Sequence, residues 1–174
     1  PRPKGANERA PAPERTRAIY VLKQIKSRQT WAGVIVHTCI ERTLQNIQRN
    51  IEPMALEQII ETTLAVMRKD YVNSKNRHYW DNPKSCGLFE HEYELPIEDS
   101  AWKEIARHVE NCLKNFYQSE IFKKIQKLPK EQWLEMEDFS GFEMDGVKVH
   151  VVIDFSFQED QDVYIYDWKT SRSD

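Results

Sequence analysis

The chain has 174 residues, 40% hydrophobic and 30% charged, with a formal net charge of −3. That length suits one domain around one core, and the slightly acidic balance excludes a strongly basic nucleic-acid coat, so any phosphate binding has to be local. The apolar runs are short and the N-terminus lacks the basic, apolar and small-residue order of a signal peptide, so neither export nor membrane insertion is expected.

Residues 1–13 (PRPKGANERAPAP) are rich in Pro, Ala and charge and read as a flexible arm. Over 14–26, Ala18, Val21, Leu22 and Ile25 follow the spacing of a short amphipathic helix, whose polar side carries Arg15, Arg17, Lys23 and Lys26. A second helix is predicted from a cap near Thr30 to Arg49, with Val36, Ile40, Leu44 and Ile47 on one stripe. Its other face carries Gly33, His37 and Glu41 in a row, and the glycine leaves room for something to approach the backbone. Pro53 suits the first turn of a third helix reaching about Tyr71. Turn formers follow, with one predicted strand over 88–95. Asp99 or Ser100 can cap a fourth helix carrying Trp102, Ile105, Val109, Leu113 and Phe116, and Ser119 a shorter fifth ending near Leu128.

After Pro129 the period changes from 3.6 to 2, predicting strands over 132–139, 146–157 and 163–169. The order predicts an α+β fold, a helical N-terminal part packed on an antiparallel three-stranded meander. Cys39, Cys86 and Cys112 are scattered and form no CxxC, so they indicate neither a disulfide framework nor a zinc site, and a reducing cytoplasm fits them.

The last two strands carry the chemistry. A tight turn centred on Asp160 and Gln161 pairs residues whose numbers sum to 321, which sets Asp154 opposite Asp167. Opposed Cβ atoms lie about 4.5–5.5 Å apart, and like charges placed so repel unless a cation neutralises them. Mg²⁺ or Mn²⁺ takes such carboxylates, with water and substrate phosphate completing its shell. Lys169, two residues on, can then stabilise charge developing on a phosphodiester. Plainer readings stand beside this one. Asp167 and Lys169 also read as a solvated pair, His37 and Glu41 as ordinary helix residues, and Tyr164, Tyr166, Trp168 and Trp133 as core packing. His150, four residues from Asp154, is about 13 Å away at strand rise and falls outside the metal shell.

Three stretches taken together, GVIVHTCIE at 33–41, VVIDF at 151–155 and YDWKTS at 166–171, resemble the PD-(D/E)XK nuclease superfamily, and more closely its RecB-like branch. The resemblance implies a restriction-endonuclease-like core and a DNA substrate, hydrolysed by a metal-activated water. It implies that Asp154 and Asp167 bind the Mg²⁺ or Mn²⁺ ion, that the Trp168 main-chain carbonyl helps, that His37 completes the shell and that Lys169 is the catalytic lysine. Glu41 would orient a ligand or water from behind, and Glu137 is a further acid with a plainer surface reading. The family usually continues past the lysine into a helix and a strand, so residues 14–174 are expected to be a truncated nuclease-like domain. Val151 and Val152 stand where RecB-like members often have a small residue, and three cysteines give no support to an iron–sulfur cluster. The alternatives are a nuclease-like module that grips DNA or a protein without cutting, and an α+β interaction domain whose two aspartates are simply solvated.

Overall fold

The computed structural model describes residues 13–136 and 138–171. Residues 1–12 of the expected arm, and Glu137, lie outside them. The fold is α+β, as the order of periods predicts. Helix α1 (Glu14–Gln24) follows Pro13 and buries only Val21. Helix α2 (Arg28–Gln48) is capped by Ser27, three residues before the expected Thr30; the Ser27 hydroxyl instead accepts from the Thr30 amide at 3.1 Å. Helix α3 (Leu56–Lys75) leaves Pro53 ahead of its first turn and runs one turn past Tyr71. Helix α5 (Asp99–Gln118) and helix α6 (Glu120–Lys127) fall where expected, and the Ser119 hydroxyl accepts from the Phe122 amide at 3.2 Å.

The predicted strand over 88–95 is the short helix α4 (Phe89–Glu92), joined to the fold by one parallel bridge between Leu88 and Lys26. Alternation misleads here because Phe89 is exposed while Glu90 is buried. The Glu90 carboxylate accepts from the Arg28 amide at 3.0 and 3.2 Å, satisfying a donor that the start of α2 leaves open.

The core lies between α2, α5, α6 and the chain around Phe155. Val36, Leu44, Val109 and Leu113 bury completely, or nearly so, with Phe155 and Phe157 closing the cluster from the sheet side. Each such side chain contributes about 1.5–3 kcal/mol on leaving water.

The described residues form two separate antiparallel pairs in place of one three-stranded meander: β1 (Asp138–Met144) with β2 (Val147–Ile153), and β3 (Phe155–Glu159) with β4 (Asp162–Tyr166). The long middle strand breaks at Asp154 because the register slips. Trp133 bridges Phe157 while Asp138 pairs with Ile153, so five chain steps on one side answer four on the other. A remnant of the third strand persists, since the Leu134 amide donates to the Ser156 carbonyl at 3.0 Å and the Ser156 amide to the Glu135 carbonyl at 2.8 Å. The β1–β2 turn is Asp145–Gly146, both at positive φ, as a two-residue hairpin loop prefers. In the second hairpin Phe155 pairs with Tyr166 and Glu159 with Asp162, the register summing to 321 that the sequence predicts. β4 ends at Tyr166, short of the expected 169, so residues 167–170 follow it without a ladder. No described helix is long and apolar enough to cross a membrane.

Candidate functional site

Helix α2 presents its row of Gly33, His37 and Glu41 away from the core because Trp31, Val36, Ile40 and Leu44 hold the opposite stripe inside. The row forms one wall of an open groove of about 510 Å³, and Thr170 lies on the other side. Asp154, at the bend between β2 and β3 and only 7% exposed, stands against His37 of this row.

A buried carboxylate needs hydrogen-bond partners. Asp154 has them: Oδ2 accepts from the Trp168 main-chain N–H at 2.5 Å, and Oδ1 lies 3.4 Å from His37 Nδ1. The amide keeps its place because the Trp168 ring packs edge-on against Phe116 at 5.2 Å and stacks on Tyr166 at 5.8 Å. Tyr166 and Tyr164 in turn stack on Phe157; Tyr166 and Trp168 pack against the core, as the plainer reading expects, whereas Tyr164 is exposed.

Asp167 and Asp154 occupy the first register positions beyond the Phe155–Tyr166 pair. Their side chains do different things. The Asp167 carboxylate meets Lys169 Nζ at 2.5 Å, and both are largely exposed. That hydrogen bond and the Asp167 charge, with a further contribution from Asp154, hold the Lys169 ammonium above its ordinary range. Lys169 is therefore a fixed cation at neutral pH. Glu41 Oε1 accepts from the Gln45 side-chain amide at 2.8 Å, one turn along α2.

The structure thus brings together His37, Asp154 and the Trp168 backbone, and separately Asp167 with Lys169. It does not assemble the metal shell implied by the family resemblance. Among the described residues no group of three or more His, Cys, Asp and Glu side chains is arranged to hold a metal ion. Asp167 turns to Lys169 instead of Asp154, and Trp168 offers Asp154 its N–H. The donor set nevertheless fits a hard divalent cation. The buried Asp154 carboxylate and the exposed Asp167 carboxylate are ligand types such an ion takes while keeping water, whereas the His37 imidazole is a softer donor. Cys39, Cys86 and Cys112 are free, and burial raises all three thiols, Cys86 to about 12, so none is a ready metal ligand.

Two residues at the site were not assigned by sequence. Thr170 lies inside the YDWKTS stretch, where only its neighbours attracted a role, and His108 sits on α5 among the apolar positions Ile105 and Val109. His108 Nε2 meets the Thr170 carbonyl at 2.7 Å. No protein-family model, curated protein or solved structure matches the chain.

Proposed function

We propose that the chain is a metal-dependent nuclease domain of PD-(D/E)XK type, close to the RecB-like branch, that hydrolyses DNA phosphodiester bonds. The observation that carries this reading is the meeting of His37 with Asp154, 117 positions apart in sequence, beside a hairpin whose register places Asp167 next to it and Lys169 two residues on. On this reading β3, β4 and the segment around Trp133 are the reduced form of a restriction-endonuclease-like three-stranded core.

Asp154, Asp167 and His37, with the Trp168 carbonyl, would hold Mg²⁺ or Mn²⁺. When bound, that ion supplies Lewis-acid polarisation of the phosphate and a nucleophile at neutral pH. The chain's own residues do the rest. Asp154, held by the Trp168 amide, is a fixed carboxyl group against which the site is built. His37 sits on a rigid helix and aims Nδ1 at it. Lys169, kept protonated by Asp167, presents a cation to the non-bridging phosphate oxygens, where charge develops as the bond breaks. Glu41 lines the groove, accepts a hydrogen bond from the Gln45 side chain and can orient water there.

The test is cleavage of DNA by the purified chain with Mn²⁺ or Mg²⁺. Wild type should cut, and Asp154→Ala and Lys169→Ala should each lose at least about 100-fold, the scale of a lost transition-state charge contact. Equal cutting by all three proteins would contradict the proposal.

One observation favours a second reading, a nuclease-like module that binds DNA without cutting: Asp167 is engaged by Lys169. Calorimetry separates the two. DNA binding without Mn²⁺ binding supports the module, and Mn²⁺ binding lost in Asp154→Ala supports the nuclease.

A further inference from the structure

Residues 167–170 leave β4 and belong to no helix or sheet, yet they carry Asp167, Trp168 and Lys169. Something other than a ladder must set their path. The Trp168 N–H on Asp154 fixes the middle of the segment. Thr170 fixes its end from two sides. Its carbonyl oxygen meets His108 Nε2 on α5 at 2.7 Å, and a Cβ built on Gly33 of α2 would stand only 3.2 Å from its hydroxyl oxygen. A carbonyl only accepts, so Nε2 carries the proton and the contact is a true donor–acceptor pair. The other neighbour of Nε2, Cys112 Sγ at 3.7 Å, is a longer and weaker partner. Without the His108 contact no hydrogen bond among the described residues would hold the segment beyond Trp168, and the path of Lys169 would be set from one side alone.

We infer that His108 is a positioning residue: its Nε2–H clamps the Thr170 carbonyl, and the clamp fixes residues 167–170 so that the Trp168 amide stays on Asp154 and Lys169, the next residue, stays beside it. The catalytic consequence rests on the nuclease reading; the clamp itself does not.

The test compares wild type, His108→Ala and His108→Gln, whose side-chain amide N–H reaches about as far as Nε2. Amide hydrogen exchange is followed by NMR in metal-free protein. The Trp168 amide of His108→Ala should exchange about tenfold faster, the equilibrium weight of one hydrogen bond, while the Phe157 and Tyr164 amides of the hairpin keep their protection. His108→Gln should recover most of that protection. In the DNA-cleavage assay with Mn²⁺, His108→Ala should lower kcat about tenfold at unchanged KM, with His108→Gln again recovering. Unchanged exchange in His108→Ala, equal acceleration in both variants, or acceleration spread across the hairpin would overturn the clamp. Expected exchange with an unaltered kcat in a protein that cuts would overturn its role in positioning. A wild type that neither binds Mn²⁺ nor cuts would instead refute the nuclease reading, and the exchange data would still decide the clamp.

Discussion

The Trp168 main-chain N–H donates to Asp154 Oδ2 at 2.5 Å, joining the bend of one hairpin to the exit of its last strand. A hydrogen bond to a charged acceptor contributes about 1.5–3 kcal/mol, and here the acceptor is buried. Asp154→Ala should therefore lower the unfolding free energy by about 2 kcal/mol, read from the denaturant midpoint at unchanged m-value. A loss below about 0.5 kcal/mol would mean that the contact does not hold the segment.

Glu90 should prove as important to stability as any site residue. Its carboxylate, 6% exposed, accepts from the Arg28 amide at the start of the helix that carries His37. Glu90→Ala removes a buried partner from a helix N-terminus and should cost about 1–3 kcal/mol in chemical denaturation. Glu90→Gln should cost less, because an amide oxygen can still accept.

These contacts show what was legible in the sequence and what was not. The β3–β4 register follows from chain parity around a short polar turn, so the pairs from Phe155–Tyr166 to Glu159–Asp162 were legible in the sequence alone. The break at Asp154 was not, because it depends on how the middle strand meets a distant segment, here around Trp133 and Phe157. Residues 88–95 were misread because Glu90 is buried for its carboxylate, against the rule that apolar residues face inward. The side-chain pairing of Asp167 with Lys169 is a rotamer choice that no periodicity encodes. His108 was invisible for a similar reason: nothing local marks a histidine whose partner lies 62 residues on.

Gly33 separates stability from activity. A Cβ at this position would meet Thr170 Oγ1 at 3.2 Å, so Thr170 must yield by a few tenths of an ångström. Alanine is better than glycine in a helix interior by about 0.8–1.0 kcal/mol. Gly33→Ala should therefore leave thermal stability within about 1 kcal/mol of wild type, while the bulkier Gly33→Leu displaces Thr170 and lowers DNA cleavage at least about tenfold. Full activity in Gly33→Leu would show that the close approach is incidental.

His91 should impose an acid limit on stability. Burial is the main cause holding its pKa below the ordinary 6.5, and it stacks on Trp102 at 5.0 Å with Nδ1 2.9 Å from the Ser74 hydroxyl. A base whose folded pKa is lowered binds fewer protons when folded, so stability is full above pH 6.5 and falls as the pH drops towards the folded pKa. Denaturant midpoints measured between pH 7.5 and pH 5, conditions of about neutral to mildly acid, should fall in wild type and fall less in His91→Gln.

Lys169 should act as a cation throughout the neutral range. Its hydrogen bond to Asp167 raises its pKa above the ordinary 10.5, so it stays protonated until the pH passes that value. The cleavage rate should show no alkaline limb from Lys169 below pH 10.5, and Lys169→Arg should keep more activity than Lys169→Ala. A Lys169-dependent limb near neutrality would assign the residue to proton transfer instead.

The most direct test of the account is paramagnetic broadening of backbone NMR signals on titration with Mn²⁺. The account predicts broadening centred on His37, Asp154, Asp167 and Trp168, absent in Asp154→Ala. Broadening confined to other acidic residues, or unaltered in that variant, would contradict it.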